Sequence, residues 1–448
     1  MNRDAIHYET DKVSVWFRKM LVPTFLGMLF MSAVTAIDGI FIGHGVGADG
    51  VAAVNIVVPI YLIMSGLGLM IGAGCSVVAS IQLSRQKIRI ANINITQALV
   101  FSSVVTLLFT ILVMLFPSQT AVLLGTSKTL MPQVIDYLQW IMPCFTFEMW
   151  SLIGLFIIRL DGSPRYAMWC NILPSALNVL LDWIFIFPLD MGVKGASIAT
   201  SISITVGGIM ALGYLLFATR TFRLVSLKLS TKSLRLLFRN IGYHCKIGSS
   251  SLLGELTLAV FIFMGNVVFM HYLGDAGVGA FGIACYYAPF FFSMGNAIAQ
   301  SAQPIVSYHY GVKQWQQVYQ AKRLLLYTSV VVGVAVTLLF VFMPEWLVSL
   351  FVDAQSKAGG IAIVGFPYFA TGIIFFILNV AMIGYYQSIE QIKKATLLVG
   401  LRGFILLIPC FILLPQLVGV NGIWLSMPLT EALTALVMLV LTCLNRES

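Results

Sequence analysis

The chain has 448 residues, of which 59% are hydrophobic and only 10% charged. Soluble domains run near 25% charged, so this composition excludes a soluble globular protein and indicates an integral membrane protein. The net charge of +9 would suggest a nucleic-acid partner in a soluble chain; here the basic residues flank apolar runs, where they orient helices, and no such partner is expected.

At roughly 20 apolar residues per span, twelve spans are predicted. The first six run Phe17–Ile42, Ala52–Leu83, Ile93–Phe116, Leu130–Leu160, Ala167–Pro188 and Gly195–Ala218. The second six run Ile241–Tyr272, Val278–Ser307, Ala321–Met343, Ile361–Tyr386, Ala395–Leu414 and Val420–Leu444. Their apolar runs are continuous rather than alternating, which excludes a β-barrel and sets the fold class as all-α, a polytopic membrane protein. Residues 1–16 are polar and include acids, so no cleavable signal is expected.

With the amino terminus inside, 23 of the 26 Lys and Arg residues fall on the inner side, Arg402 being counted with the loop after the tenth span. Only Lys128, Lys194 and Lys357 fall outside. Both termini are therefore expected in the cytoplasm, with the protein in a bacterial cytoplasmic (plasma) membrane. The long basic stretch Thr219–Arg239 reads as a cytoplasmic linker. It separates an amino-terminal lobe, 1–218, from a carboxyl-terminal lobe, 240–448.

The two lobes repeat at one offset. Gly47-Ala48-Asp49-Gly50-Val51 after the first span matches Gly274-Asp275-Ala276-Gly277-Val278 after the seventh, a shift of 227. Met191-Gly192-Val193-Lys194-Gly195 matches Val418-Gly419-Val420-Asn421-Gly422 at the same shift. Two matches at one offset indicate duplication. Six spans per lobe make the repeats parallel, an arrangement that places substrate between lobes in known transporters.

Two acids stand in otherwise apolar spans. Asp38 lies about four residues from the outer end of the first span and Asp182 about six from that of the fifth. At 1.5 Å per residue, both sit roughly 6–9 Å below the outer boundary. Each is there at a cost that starts at about 2.5 kcal/mol, so an intramembrane acid marks a functional site by default. Asn178 precedes Asp182 by one helical turn and shares its face. Two carboxylates with a carboxamide suit Na⁺, and equally suit a shared proton, because like charges oppose joint ionisation. The alternative is that each acid satisfies a helix end or reaches outward. At the repeat offset, Asp38 maps to Gly265 and Asp182 to Pro409, so the acid pair belongs to the first lobe alone.

Glu255 lies about nine residues beyond Lys246, roughly 13 Å into the membrane. Tyr286 to Met294, YYAPFFFSM, clusters Tyr286, Phe290 and Met294 beside Pro289. Such surfaces attract organic cations, or form an ordinary packing layer. Glu148 and Glu431 also fall inside spans and receive no role; Arg159 and Asp161 are expected to pair at a span end. Pro23 is either an interior, helix-bending proline or the first-turn proline of a helix starting near Leu21.

No Walker A motif, HExxH or GxSxG occurs. The five histidines are expected at loops or span ends, without metal-ligand spacing. The chain is thus expected to be no enzyme and to need no cofactor and no metal beyond Na⁺.

Pro23, IDGIFIG (Ile37–Gly43), AAVNIVVP (Ala52–Pro59), LDGSPRYAM (Leu160–Met168), NVLLD (Asn178–Asp182) and GVKGASIAT (Gly192–Thr200) resemble the MATE (multidrug and toxic compound extrusion) family. ELTLAVF (Glu255–Phe261) and AQPIVSYHYG (Ala302–Gly311) resemble its MepA-type multidrug branch. The resemblance covers the whole chain. It implies a cation site at Asp38, Asn178, Asp182 and Thr200, and a span-one bend at Pro23. In the NorM-type branch a span-seven glutamate works with a span-ten aspartate; here span ten offers Asn379 but no acid. Glu255 is left to attract cationic drugs, to carry a proton, or to bond between helices.

The expected function is a secondary antiporter. It would export amphipathic or cationic organic compounds in exchange for H⁺ or Na⁺ by rocking of the lobes, and it is read as a monomer. The alternatives are a flippase for a lipid-linked precursor and a membrane-embedded enzyme. A flippase would want cavity cations for a pyrophosphate, and basic residues are nearly absent from the spans. The charge placement has one direct check. A cysteine placed within Thr219–Arg239 should resist an impermeant thiol reagent on intact cells and react in opened ones; labelling of intact cells would contradict the orientation.

Overall fold

The computed structural model describes residues 12–46, 48–126, 128–228 and 230–443. Among them helix is nearly continuous and no strand occurs. This follows from the composition: in lipid no water pairs with backbone groups, so long apolar segments close their hydrogen bonds within a helix. Among the described residues, eleven helices are long and apolar enough to cross a membrane. A bent pair, Lys357–Ala370 and Ile373–Ser388, supplies the twelfth when read as one span.

That tenth span differs from the unbroken run expected. It bends by 52° at Thr371 and Gly372. A Cβ on Gly372 would lie 2.6 Å from the Cα of Pro428, so the twelfth span passes against bare backbone at the break. The cause is tertiary and lies 56 residues away in sequence, between positions 372 and 428.

The chain divides into two compact units: residues 1–252 with 307–315, and residues 253–306 with 316–448. In the first, Val13–Gly45 packs along Pro164–Ile186, which packs along Gly192–Gly213. Small residues permit that approach. A Cβ on Gly45 would run into Ile186, and one on Gly27 would sit 3.3 Å from Asn171 Nδ2. These contacts bracket Asp38 above and below. Pro23 lies inside the helix that begins at Val13, which removes the first-turn reading. The proline has no N–H for the carbonyl of Lys19, four residues earlier.

The fourth span is interrupted by a 3₁₀ turn, Met142–Cys144, at Pro143. Neighbouring hydroxyls serve the carbonyls there. Thr110 Oγ1 donates to Met142 O at 2.9 Å and Ser201 Oγ to Trp140 O at 2.6 Å.

The linker is shorter than expected. A helix starts at Thr231, where the Ser230 hydroxyl accepts from the Ser233 amide at 3.2 Å. Residues before it are strapped to the first unit. Asp161 accepts from the backbone amides of Arg220 and Thr221 at 3.0 and 2.9 Å and from Tyr214 Oη at 2.8 Å. Asn92 and Thr96 accept from the amides of Arg223 and Val225, each at 3.1 Å. Asp161 therefore holds the linker where a pairing with Arg159 was expected. His244, expected at a loop or span end, is fully buried and pairs with Asn94 at 3.0 Å. Its own backbone lies against Gly74, which fastens residues 231–252 to the second span.

The second unit is built around an aromatic core in which Phe269 and Phe281 stack at 4.6 Å and Phe291, Phe340, Phe366 and Phe369 interlock. Of the two repeated turns, one has its Gly47 outside the described residues; the other matches in conformation. Gly192 and Gly419, 227 residues apart, have φ of 57° and 70°, a region glycine enters without a Cβ penalty.

Candidate functional site

The helix packing of the first unit brings the two acids together. Asp182 is fully buried, and Asp38 is half-buried with its Oδ1 enclosed. Their carboxyls lie within electrostatic reach of one another. Among the described residues no protein donor reaches Asp38 Oδ1 or either oxygen of Asp182. A carboxylate accepts and does not donate, so a hydrogen bond between the two would require a proton on one partner. Without that proton, two like charges face each other in a low-dielectric interior, unless a cation lies between them. Chemically, a proton, or a small hard cation held by oxygen ligands, would neutralise such a pair.

One turn below, Asn178 Nδ2 donates to Thr200 Oγ1 at 3.4 Å. This links the fifth and sixth spans beside the pair, and both residues are half-buried. The structure thus brings together all four residues expected at the cation site. It adds Tyr137, buried and within electrostatic reach of both acids. Nothing in the sequence separates Tyr137 from the other tyrosines of the spans. Glu148 is also buried in this unit and accepts a hydrogen bond from the Tyr61 side chain.

In the second unit Glu255 is half-buried on the seventh span. Phe290 and Met294 are half-buried further along the eighth, whereas Tyr286 is 48% exposed and stacks on Phe351 at 5.1 Å. Tyr287 and Phe291, from the same run, belong to the aromatic core. Arg402, counted in sequence among the inner loop cations, is instead buried in the eleventh span, where it is ion-paired with Glu431 at 2.7 Å.

The described residues thus form a helical membrane protein of eleven spans, or twelve with the bent pair, whose first unit encloses a pair of acids. The MatE family model matches residues 23–184 and again 252–412, once per repeat. The chain belongs to the MatE family. It is 24% identical to the multidrug export protein MepA of Staphylococcus aureus (strain NCTC 8325 / PS 47), over 99% of this chain and 97% of that protein. MepA of Staphylococcus saprophyticus is likewise 24% identical at the same coverage. Among solved structures, an outward-facing MATE multidrug resistance transporter of the MOP superfamily has a TM-score of 0.89 at 20% identity, covering 98% of this chain and 96% of that one. The MATE multidrug transporter DinF-BH has a TM-score of 0.85 at 27% identity, covering 100% of this chain and 98% of that one.

The proximity of the two acids yields a coupling that can be measured. Asp38→Asn supplies an amide donor to Asp182 and removes the need for the shared proton; Asp182→Asn does the same in reverse. In a double-mutant cycle on thermal stability the two should be non-additive by about 0.5–3 kcal/mol, the range for residues in contact. Each single variant should also lose the part of the wild-type pH dependence that comes from the pair. Additive effects with an unchanged pH profile would show the acids to be independent.

Proposed function

We propose that this transporter is a secondary active antiporter that exports amphipathic, often cationic, organic compounds in exchange for H⁺ or Na⁺. The observation that carries the reading is the Asp38–Asp182 pair: a buried and a half-buried acid within reach of one another and, among the described residues, with no protein donor to Asp38 Oδ1 or to either Asp182 oxygen. Such a pair has two states that differ by a whole charge. A ligand shifts a conformational equilibrium only through its different affinity for the two states. Entry of a proton or Na⁺ from the outside would neutralise the pair and favour one packing of the first span against the fifth. Asn178 and Thr200 would add oxygen ligands, and the bend-permitting Pro23 would let the first span respond. That change would bias the rocking of the two six-span lobes and the release of substrate. The relatives are named multidrug export proteins, and the solved relative DinF-BH is named a multidrug transporter, which supports an organic substrate.

On the substrate side Glu255 provides a negative charge to favour cations, with Phe290 and Met294 as adaptable apolar contacts. Tyr286 belongs to this set by its place on the eighth helix. The orientation expected from the basic residues, with both termini cytoplasmic, would set the acid pair toward the outer face of the membrane. A flippase for a lipid-linked precursor would need cations free to hold a pyrophosphate. The buried charge of Arg402 is already taken by Glu431.

Membrane vesicles with an imposed pH or Na⁺ gradient test the coupling. Asp182→Asn should fold and insert, yet lose gradient-driven export by a factor within the roughly 5–150-fold range that 1–3 kcal/mol of coupling produces. Wild-type export by a well-inserted variant would sink the antiport reading. Glu255→Gln should slow export of a cationic dye several-fold more than that of a neutral one, since only the cation feels the lost charge. Equal losses for both would assign Glu255 to folding or to proton transfer.

A further inference from the structure

One charged cluster in the second unit has no part in the exchange described above. Arg402 lies in the π-helical turn Leu401–Ile405 and is 1% exposed. Its guanidinium grips Glu431 with both edges of the carboxylate engaged. Nη2 donates to Oε1 at 2.7 Å, and Nε to Oε1 at 3.0 Å and to Oε2 at 3.3 Å. Asn379, fully buried on the tenth span, donates Nδ2 to Glu431 Oε2 at 2.7 Å and to the Glu431 carbonyl at 2.9 Å. Phe376, one turn earlier, lies under the guanidinium, 4.3 Å from carbon to ring centroid. Asn379 Oδ1 is buried and, among the described residues, receives no donor.

Apart from Arg402, these groups are the parts of a cation site. A carboxylate supplies charge, a carboxamide oxygen is left unused, and an aromatic face forms the floor. The shape fits one class of cation best. A guanidinium is planar, donates in parallel to a carboxylate and stacks on a ring; an ammonium or an alkali ion does not do all three.

The position in the repeat is informative. The offset of 227 relates the eleventh and twelfth spans to the fifth and sixth, which hold Asn178, Asp182 and Thr200. Arg402 corresponds to Ser175 and Glu431 to Ile204, each about one helical turn from Asn178 or Thr200. The counterpart of Asp38 is Gly265, where a Cβ would collide with the Phe281 ring. The second unit thus carries its acid on the matching helix pair, one turn away, together with a cation attached to the chain.

We propose that Glu431, Asn379 and Phe376 form a cation crevice of the guanidinium class, and that the Arg402 side chain is its permanent, tethered occupant. The crevice stands on its own geometry. Its consequence rests on the antiport reading: a crevice whose cation cannot leave exchanges no coupling ion, so Glu431 takes no part in ion exchange.

The experiment uses full-length protein purified in detergent, with Arg402→Ala vacating the crevice. The probe is ethylguanidinium chloride at millimolar concentration, with tetramethylammonium chloride at equal ionic strength as the control. The variant should melt below the wild type. Ethylguanidinium should raise its melting temperature with the logarithm of concentration, as a ligand of the folded state does, and tetramethylammonium should not. The double variant Arg402→Ala, Glu431→Gln should lose the ethylguanidinium shift, and the wild type should show none. Equal shifts with both salts, or an ethylguanidinium shift of the same size in the wild type or the double variant, would overturn the proposal. A second measurement leaves Arg402 in place. In Asp182→Asn, stoichiometric binding of Na⁺ or protons should be absent or should survive Glu431→Gln; residual binding abolished by Glu431→Gln would overturn the proposal. If the wild type binds no coupling ion either, the antiport reading fails alone, and the ethylguanidinium shift decides the crevice.

Discussion

The structure turns on the need to neutralise buried charge locally, because the bilayer offers neither water nor counter-ions at depth. The first unit holds Asp38 and Asp182 within reach of each other across the first and fifth spans, with no protein cation or donor among the described residues to offset them; on the antiport reading proposed above, a mobile cation would do so. The second unit meets the need with a partner that cannot leave, since Arg402 closes on Glu431 from the next helix. Breaking a buried pair of that kind by removing one partner typically costs about 3–5 kcal/mol. Such a pair resists separation, whereas the acid pair can be neutral or charged according to whether a proton is bound.

The duplication explains how one architecture came to hold both solutions. The glycine turns at Gly192 and Gly419 keep the same left-handed backbone. The helix positions between them are free to diverge in side chain as long as packing is preserved. At Asp38 the first span presents an acid. At its counterpart Gly265 the seventh presents bare backbone, and the Phe281 ring takes the space. The stack of Phe281 on Phe269 and its edge contact with Phe261 tie that ring into the aromatic core. Introducing an acid at Gly265 would displace a core ring, so the second unit cannot regain the first unit's switch by a single change.

How much of this was legible in the sequence depended on whether a residue's partner lay nearby. Asp38 and Asp182 stand out because nothing else in an apolar run accounts for a carboxylate, and Asn178 follows from one turn of helix. The spans and the duplicated turns follow from apolar length and from glycine, both local properties. Tyr137 does not stand out, because a phenol is common in spans and its proximity to the acids depends on how the fourth span folds past Pro143. Arg402 was misplaced for a related reason. Counting cations by loop assumes that Lys and Arg avoid the interior, and that fails for a cation whose carboxylate sits on another helix. The break in the tenth span at Gly372 arises from the passage of Pro428, so no local pattern announces it. The YYAPFFFSM run contains both core-packing and half-buried rings, which only the rotation of the helix separates.

These two treatments of charge bear on how a duplicated transporter divides its labour. Two equivalent titratable sites would let the units change state independently and allow partial loading, in which an ion moves without substrate. Fixing the charge of Glu431 with a tethered cation removes that freedom at the duplicated position, so the helix pair that matches the fifth and sixth spans holds no exchangeable acid pair of its own. Glu255 lies in the same unit, half-buried and close in chain to Thr257, against which Gly403 packs directly after Arg402. Because Arg402 is already bound to Glu431, its charge is satisfied without Glu255. On the reading proposed above, that leaves the Glu255 carboxyl to meet an organic cation rather than a cation of the chain itself.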